Sequence, residues 1–226
     1  MKKLFTISTG LLVIVFLTSC TKTLVLDQHD NQQTCDTGAV RLIADFEASR
    51  MDECQVLADN NYLITIAPEN TPINPSPWYA FKIEADTATD ITINIKISGD
   101  RDNRYLPKFS QDMKTWSVYP HKYRNKQLIL NIKASTKPVY IAGQEVIDNQ
   151  YYVDWAKKLQ KTAHITHQQL GTSQQGRPIY KIESRGESNE WLVILGRLHP
   201  PEITGALALF PFVETLLANN PLAVYF

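Results

Sequence analysis

Asp90-Ile-Thr-Ile-Asn-Ile-Lys-Ile-Ser98 is the stretch that decides the fold of the first half of the chain. Its four isoleucines alternate with polar residues, and a period of two places them all on one face of a half-buried strand. Further strands are predicted between clusters of Pro, Asn, Asp and Gly, at residues 61–66, 78–83, 127–132 and 139–142. No helical pattern separates these strands. Residues 40–147 are therefore predicted to form an all-β sandwich domain of antiparallel strands.

The pattern changes near Asp148. Apolar residues then recur at helical spacing, with lysines on the opposite side, and predict a helix of about three turns: Tyr152, Trp155, Ala156 and Leu159. Strands are predicted at 163–170, 178–184 and 191–195, with a turn at 171–177 and a helix at 202–218. The continuous apolar pattern of 191–195 predicts a buried strand. Pro211 should kink the last helix or shift its start. This alternation indicates that residues 148–226 are the opening portion of an α/β domain.

The N-terminus has the pattern of an export signal. Lys2 and Lys3 precede the apolar run 11–17, and Leu17-Thr18-Ser19-Cys20 is similar to a bacterial lipobox. The alternative is a membrane anchor with an incidental Cys20, but the run is shorter than the roughly 20 residues that span a bilayer. We expect a signal peptide at 1–20, lipidation of Cys20, and a flexible polar tether at 21–39. The resemblance implies a lipid anchor in the bacterial cell envelope, at the outer membrane facing the periplasm.

Charge and cysteine content limit the partners and the cross-links. Lys plus Arg and Asp plus Glu each total 23, so no net field favours a nucleic acid partner. Beyond Cys20, only Cys35 and Cys54 remain. An exported location permits a disulfide between them, but Cys35 falls within the predicted tether. The sequence leaves both the bonded and the free state open.

His199 and Glu202 are the candidate metal ligands. They stand three residues apart in Gly196-Arg-Leu-His-Pro-Pro-Glu202, where the predicted strand gives way to a helix. Imidazole and carboxylate are zinc-binding groups, and ligands bind at the carboxyl ends of strands in open α/β sheets. The competing interpretation is a plain helix start, because Pro201 suits the first helical position and an acidic residue suits the first turn.

Two linked motifs resemble the zinc carboxypeptidases of the carboxypeptidase A-like family. They are Gly171-Thr-Ser-Gln-Gln-Gly-Arg-Pro-Ile-Tyr180 and the Gly196–Glu202 stretch. Trp78-Tyr-Ala-Phe81 and Phe109-Ser-Gln-Asp-Met-Lys-Thr-Trp116 are similar to segments of the N-terminal β-sandwich in the branch of the cytosolic carboxypeptidases. The resemblance implies that His199 and Glu202 are the first two ligands of a catalytic zinc. It also implies that the substrate is the C-terminus of a peptide or protein.

The chain also departs from that family. No residue matches the third zinc ligand, the general-base glutamate or the substrate-binding arginines, and Pro201 replaces the arginine that carboxypeptidase A-type enzymes place before the ligand glutamate. We therefore assign no catalytic residue in this chain and expect the general base beyond Phe226. The substrate-binding residues stay unknown. The sequence is interpreted as a truncated, N-terminal fragment that is inactive alone.

Other candidate residues have structural explanations. His164 and His167 have a metal-like spacing, but residues three apart on a strand point to opposite faces. For Arg177 the alternatives are a contact with substrate and a structural salt bridge or turn hydrogen bond, and we favour the structural role. Five aromatic residues of the sandwich either form a sugar-stacking platform or fill its core and the seam to the next domain, and we favour the core: Trp78, Tyr79, Tyr105, Trp116 and Tyr119. The alternative function is a non-catalytic envelope lipoprotein that binds glycan or peptide through the sandwich.

Overall fold

The computed structural model describes residues 33–68, 77–99, 101–161, 165–184, 191–198 and 202–219. The predicted signal peptide, including Cys20, lies outside this part of the chain. Eleven strands of the first region come before any helix: β1 (Gln33–Asp36), β2 (Val40–Ala44), β3 (Glu53–Ala58), β4 (Asn61–Ile66), β5 (Ala80–Ala85), β6 (Thr89–Ile97), β7 (Lys108–Ser110), β8 (Ser117–Val118), β9 (Lys122–Arg124), β10 (Gln127–Ala134) and β11 (Val139–Ala142).

These strands form two sheets around one apolar core, and the β-sandwich is confirmed. The strand order is β1-β2-β5-β11-β7-β8 in one sheet and β3-β4-β6-β10-β9 in the other. The alternating isoleucines of β6, namely Ile91, Ile93, Ile95 and Ile97, are all at most 2% exposed. They pack with Leu42, Phe81 and Leu130 in a single buried cluster. The period of two in the sequence therefore identified the core face of the central strand.

Two features of the sandwich differ from the prediction. β4 and β6 pair in parallel, with Ile64 opposite Ile95, because β5 between them lies in the other sheet and the chain returns in its original direction. The tether was also predicted too long at its C-terminal end, since β1 lies within it. β1 is ordered because it pairs with β2 and because Cys35 forms a disulfide with Cys54 of β3. The bond left open by the sequence thus links the two sheets.

The described residues of the second region form two helices and a hairpin. Helix α1 (Asn149–Gln160) begins after Asp148, whose carboxylate accepts a hydrogen bond from the Tyr151 N–H. Strands β12 (Ile165–Thr172) and β13 (Pro178–Ser184) form an antiparallel pair, and helix α2 (Ile203–Asn219) follows with Pro211 in its interior. The fold is thus a β-sandwich followed by the opening portion of an α/β domain. The division of the chain after residue 147 stays a prediction.

The strand predicted at 191–195 is wrong. Residues 191–195 pair with no strand in the described ranges, and Trp191, Val193 and Leu195 are 65%, 73% and 70% exposed. An apolar run becomes a buried strand only when neighbouring strands and helices cover it, and the described residues cover this run on one side at most.

Among the described residues, neither helix has the length and apolarity to cross a membrane.

Candidate functional site

Glu202 immediately precedes α2 and is exposed. Its carbonyl oxygen accepts a hydrogen bond from the Gly205 N–H at 3.2 Å, which forms part of the first helical turn. The partial positive charge of a helix N-terminus suits a carboxylate at this position. His199, Pro200 and Pro201 lie outside the described residues. The structure therefore places one of the two predicted zinc ligands, and the pairing of His199 with Glu202 stays a prediction.

The start of α2 is held against the sandwich by apolar packing. Ile203 is fully buried and Ala206 is 1% exposed, in a cluster that includes Ile147. Phe210, one turn further on, stacks with the rings of three residues of α1: Tyr151, Tyr152 and Trp155. The Trp155 indole N–H also donates to the Glu214 carboxylate at 3.0 Å. This packing fixes the backbone to which Glu202 is attached.

Arg197 is a half-buried cation two residues before His199. Its backbone is in the left-handed region, with φ at 53°, and its Nη1 donates to the carbonyl oxygen of Ile147. Burial lowers the pKa of Arg197, while the charges of Tyr152, Glu47 and Asp148 oppose that shift. Sequence reasoning missed this residue, although a lone arginine after an apolar run was a usable signal. Arg197 fixes the chain just before the predicted ligands.

The Gly-Arg turn between β12 and β13 is also anchored. Its backbone is closed by the Ser173 N–H, which donates to the Arg177 carbonyl oxygen at 2.8 Å, and Gly176 supplies the positive φ of 74° that the turn requires. The Arg177 guanidinium forms a salt bridge of 2.8 Å with Glu47. The structural role predicted for Arg177 is confirmed. Its partner was missed, because Glu47 is 130 residues away.

The aromatic residues of the sandwich pack in its interior and at the junction. Tyr79 is fully buried, and Trp78 packs between the sandwich and α2 while its indole N–H donates to the Ala48 carbonyl oxygen at 2.8 Å. Trp116 and Tyr119 pack against buried clusters. The ring of Tyr105 lies against Gly143. The core interpretation is confirmed for Tyr79, whereas the other four side chains are half-buried, and the choice between packing and sugar stacking stays a prediction for them.

The described ranges contain no complete metal-binding group. They hold no group of three or more His, Cys, Asp and Glu side chains that could bind a metal ion. His167 stacks on the Tyr180 ring, with centroids 4.6 Å apart. His164 lies outside the described residues, so the relative direction of the two histidines stays a prediction.

An apolar groove lies between the elements of the second region. It has a volume of about 650 Å³ and is bordered by α1, the β12–β13 hairpin, residues 191–196 and α2. Leu209 and Val213 line its α2 side, and Trp155 lines its α1 side. The residues predicted as a buried strand thus form one wall of this groove.

The architecture is similar to that of metallo-carboxypeptidases. Two solved structures share the fold: a metallo-carboxypeptidase from Burkholderia cenocepacia (TM-score 0.66, 15% identity, 82% of this chain and 53% of that chain) and one from Pseudomonas aeruginosa in complex with (2-guanidinoethylmercapto)succinic acid (TM-score 0.64, 19% identity, 80% and 50%). The chain spans about half the length of these relatives.

The family comparison agrees with the fold. Residues 33–143 match the model of the cytosolic carboxypeptidase N-terminal domain. No protein of curated function matches the chain in sequence. The predicted resemblance to zinc carboxypeptidases that carry an N-terminal β domain is confirmed.

Proposed function

We propose that this chain provides the N-terminal β domain and two zinc ligands, His199 and Glu202, of a metallocarboxypeptidase that removes C-terminal residues from peptides or proteins. The observation that carries the proposal is the position of Glu202, at the packed start of α2 in a metallo-carboxypeptidase fold. The relative from P. aeruginosa binds a succinic acid derivative. A ligand with carboxylates supports a peptide C-terminus as the substrate class.

The side chains suit zinc, but they form an incomplete set. Zinc accepts an imidazole nitrogen and a carboxylate oxygen, and a catalytic site uses three protein ligands with one open position. When bound, zinc would polarise a carbonyl group and activate a water molecule. Glu202 and His199 would hold the metal, and Arg197 would fix the backbone before them. Because no residue of the sequence matches the third ligand or the general base, we propose that these residues alone do not hydrolyse peptides.

Zinc titration of the purified chain tests the ligand assignment. We expect weak binding by isothermal titration calorimetry that His199→Ala or Glu202→Ala abolishes. His121→Ala is the matched control, because His121 is exposed on the sandwich and its ring contacts the Tyr119 carbonyl oxygen. Nanomolar affinity that survives His199→Ala would overturn the assignment.

We further propose that Cys20 is lipidated and anchors the protein in the bacterial cell envelope, at the outer membrane facing the periplasm. The support is the sequence alone: Lys2 and Lys3, the apolar run 11–17 and the lipobox-like segment ending at Cys20. In a bacterial host, the wild type should incorporate a labelled fatty acid and fractionate with the outer membrane, and Cys20→Ala should do neither. A Cys20→Ala variant that still carries the label would exclude this anchor.

A further inference from the structure

Glu47 lies in a rigid turn of the sandwich. The turn follows β2 and is closed by the Ser49 N–H, which donates to the Phe46 carbonyl oxygen at 3.0 Å. The Phe46 ring packs edge-on against Tyr140 of β11. On the other side, the Ala48 carbonyl oxygen accepts from the Trp78 indole. These contacts hold the Glu47 backbone in place, so its side chain can bind other segments at little further entropic cost.

The Glu47 carboxylate joins two segments that are distant in sequence. Its Oε1 accepts from the Asn149 N–H at 3.2 Å, at the start of α1, and from Arg177 Nη1 at 2.8 Å, in the turn between β12 and β13. The Glu47 side chain is 33% exposed and that of Arg177 is 48% exposed. A carboxylate on two N–H donors, one of them charged, forms stronger hydrogen bonds than a neutral acceptor would.

The segment before the candidate zinc ligands also contacts the chain near the start of α1. Arg197 donates to the carbonyl oxygen of Ile147, two residues before the amide that Glu47 binds. The start of α1 is therefore bound from the sandwich by Glu47 and from the ligand segment by Arg197.

We propose that Glu47 is a positioning residue, which fixes the Gly-Arg turn, the start of α1 and, through them, the segment carrying His199 and Glu202 on the sandwich. The role in metal binding rests on the proposed function, whereas the role in ordering the second region does not. Removing the carboxylate should loosen residues 165–184 and 191–198 and leave the sandwich core intact.

Hydrogen exchange of the full chain tests the ordering role. In Glu47→Gln, amides of β12, β13 and residues 191–198 should exchange faster by about two- to fivefold, the range expected for a half-exposed ion pair. Glu47→Ala should show a larger increase, because it also removes the acceptor for the Asn149 N–H. Amides of β4, β6 and β10 should keep the rates of the wild type.

Glu84→Gln is the matched control. Glu84 is a half-buried glutamate of β5 whose carboxylate lies 3.9 Å from Arg41 and 3.3 Å from Lys82, both of the sandwich. The Glu84→Gln substitution should leave exchange in residues 165–184 and 191–198 unchanged. Unchanged exchange in Glu47→Gln and Glu47→Ala would overturn the proposal. Faster exchange throughout the sandwich in Glu47→Gln would also overturn the proposal, because Glu47 would then stabilise the whole fold and not position the second region in particular.

Zinc titration separates this proposal from the proposed function. If the wild type binds zinc, Glu47→Ala should weaken the binding severalfold and Glu84→Gln should not, and an unchanged affinity would overturn the metal-related part. If the wild type binds no zinc, the proposed ligand set fails, and the hydrogen exchange result alone decides whether Glu47 orders the second region.

Discussion

At the scale of single residues, Tyr79 and Tyr62 present the same side chain in two different situations. Both are fully buried in the sandwich core. The Tyr62 hydroxyl lies 3.2 Å from Thr37 Oγ1, whereas the Tyr79 hydroxyl has no hydrogen-bond partner among the described residues. A buried hydroxyl without a partner costs free energy of desolvation that its ring must offset. The two residues therefore form a matched pair.

We expect Tyr79→Phe to raise the free energy of unfolding by about 1 kcal/mol and Tyr62→Phe to lower it by about 1 kcal/mol. The first substitution removes an unsatisfied polar atom, and the second removes one partner of a hydrogen bond. Urea denaturation followed by tryptophan fluorescence measures both. Equal destabilisation by the two variants would show that the Tyr79 hydroxyl is satisfied in solution.

The same hydroxyl predicts a dependence on alkaline pH. Burial raises the pKa of Tyr79 above its usual value of 10.0, so the folded state resists deprotonation more than the unfolded state does. The free energy of unfolding that depends on the protonated Tyr79 hydroxyl is therefore fully present below pH 10. It is lost as the pH rises above 10, because the unfolded state then deprotonates first. The difference in free energy of unfolding between Tyr79→Phe and the wild type should therefore be constant below pH 10 and grow above it. A difference that stays constant up to pH 11 would contradict this.

At the scale of elements, local pattern and long-range pairing explain what the sequence could predict. β4, β11 and β13 were predicted with their observed bounds, because apolar alternation and flanking turn residues are local signals. The short strands β7, β8 and β9 were missed, because two or three residues are too few to show alternation. The contact between Glu47 and Arg177 was not predictable because the two residues are 130 positions apart, whereas Glu202 followed from a local motif and the packing around it came from the fold.

The disulfide is the covalent link between the two sheets, and its loss should be measurable. Cys35 lies on edge strand β1 and Cys54 on edge strand β3, with a sequence separation of 19. Closing a loop of this length stabilises a fold by about 3 kcal/mol. We expect reduction to lower the free energy of unfolding by that amount in urea titrations. The double variant Cys35→Ser/Cys54→Ser should have the same free energy of unfolding as the reduced wild type, with or without reductant. A wild type whose free energy of unfolding does not change on reduction would contradict the prediction.

At the scale of the whole molecule, the buried core is divided unevenly. One cluster of the sandwich contains most of the buried apolar residues, whereas the second region adds mainly Ala156, Leu159, Ile203, Ala206 and Phe210. Exposed apolar residues are concentrated beside that smaller cluster, along 191–195 and the groove. The sandwich should therefore be the stable unit, and the second region should open at lower free energy.

The exposed apolar residues 191–195 predict self-association of the chain through its second region. Val193 and Leu195 are 73% and 70% exposed and adjoin the groove, and contiguous apolar surface promotes association. Val193→Asp/Leu195→Asp should lower both the self-association seen by sedimentation velocity and the fluorescence of a bound apolar dye, without changing the free energy of unfolding of the sandwich. Val56→Asp/Leu57→Asp is the matched control, because these residues of β3 are 51% and 53% exposed and do not line the groove. If the control pair reduces association equally, the effect comes from added charge and not from the wall. If instead Val193→Asp/Leu195→Asp leaves self-association unchanged, the contact between copies does not involve residues 191–195 and the prediction is wrong.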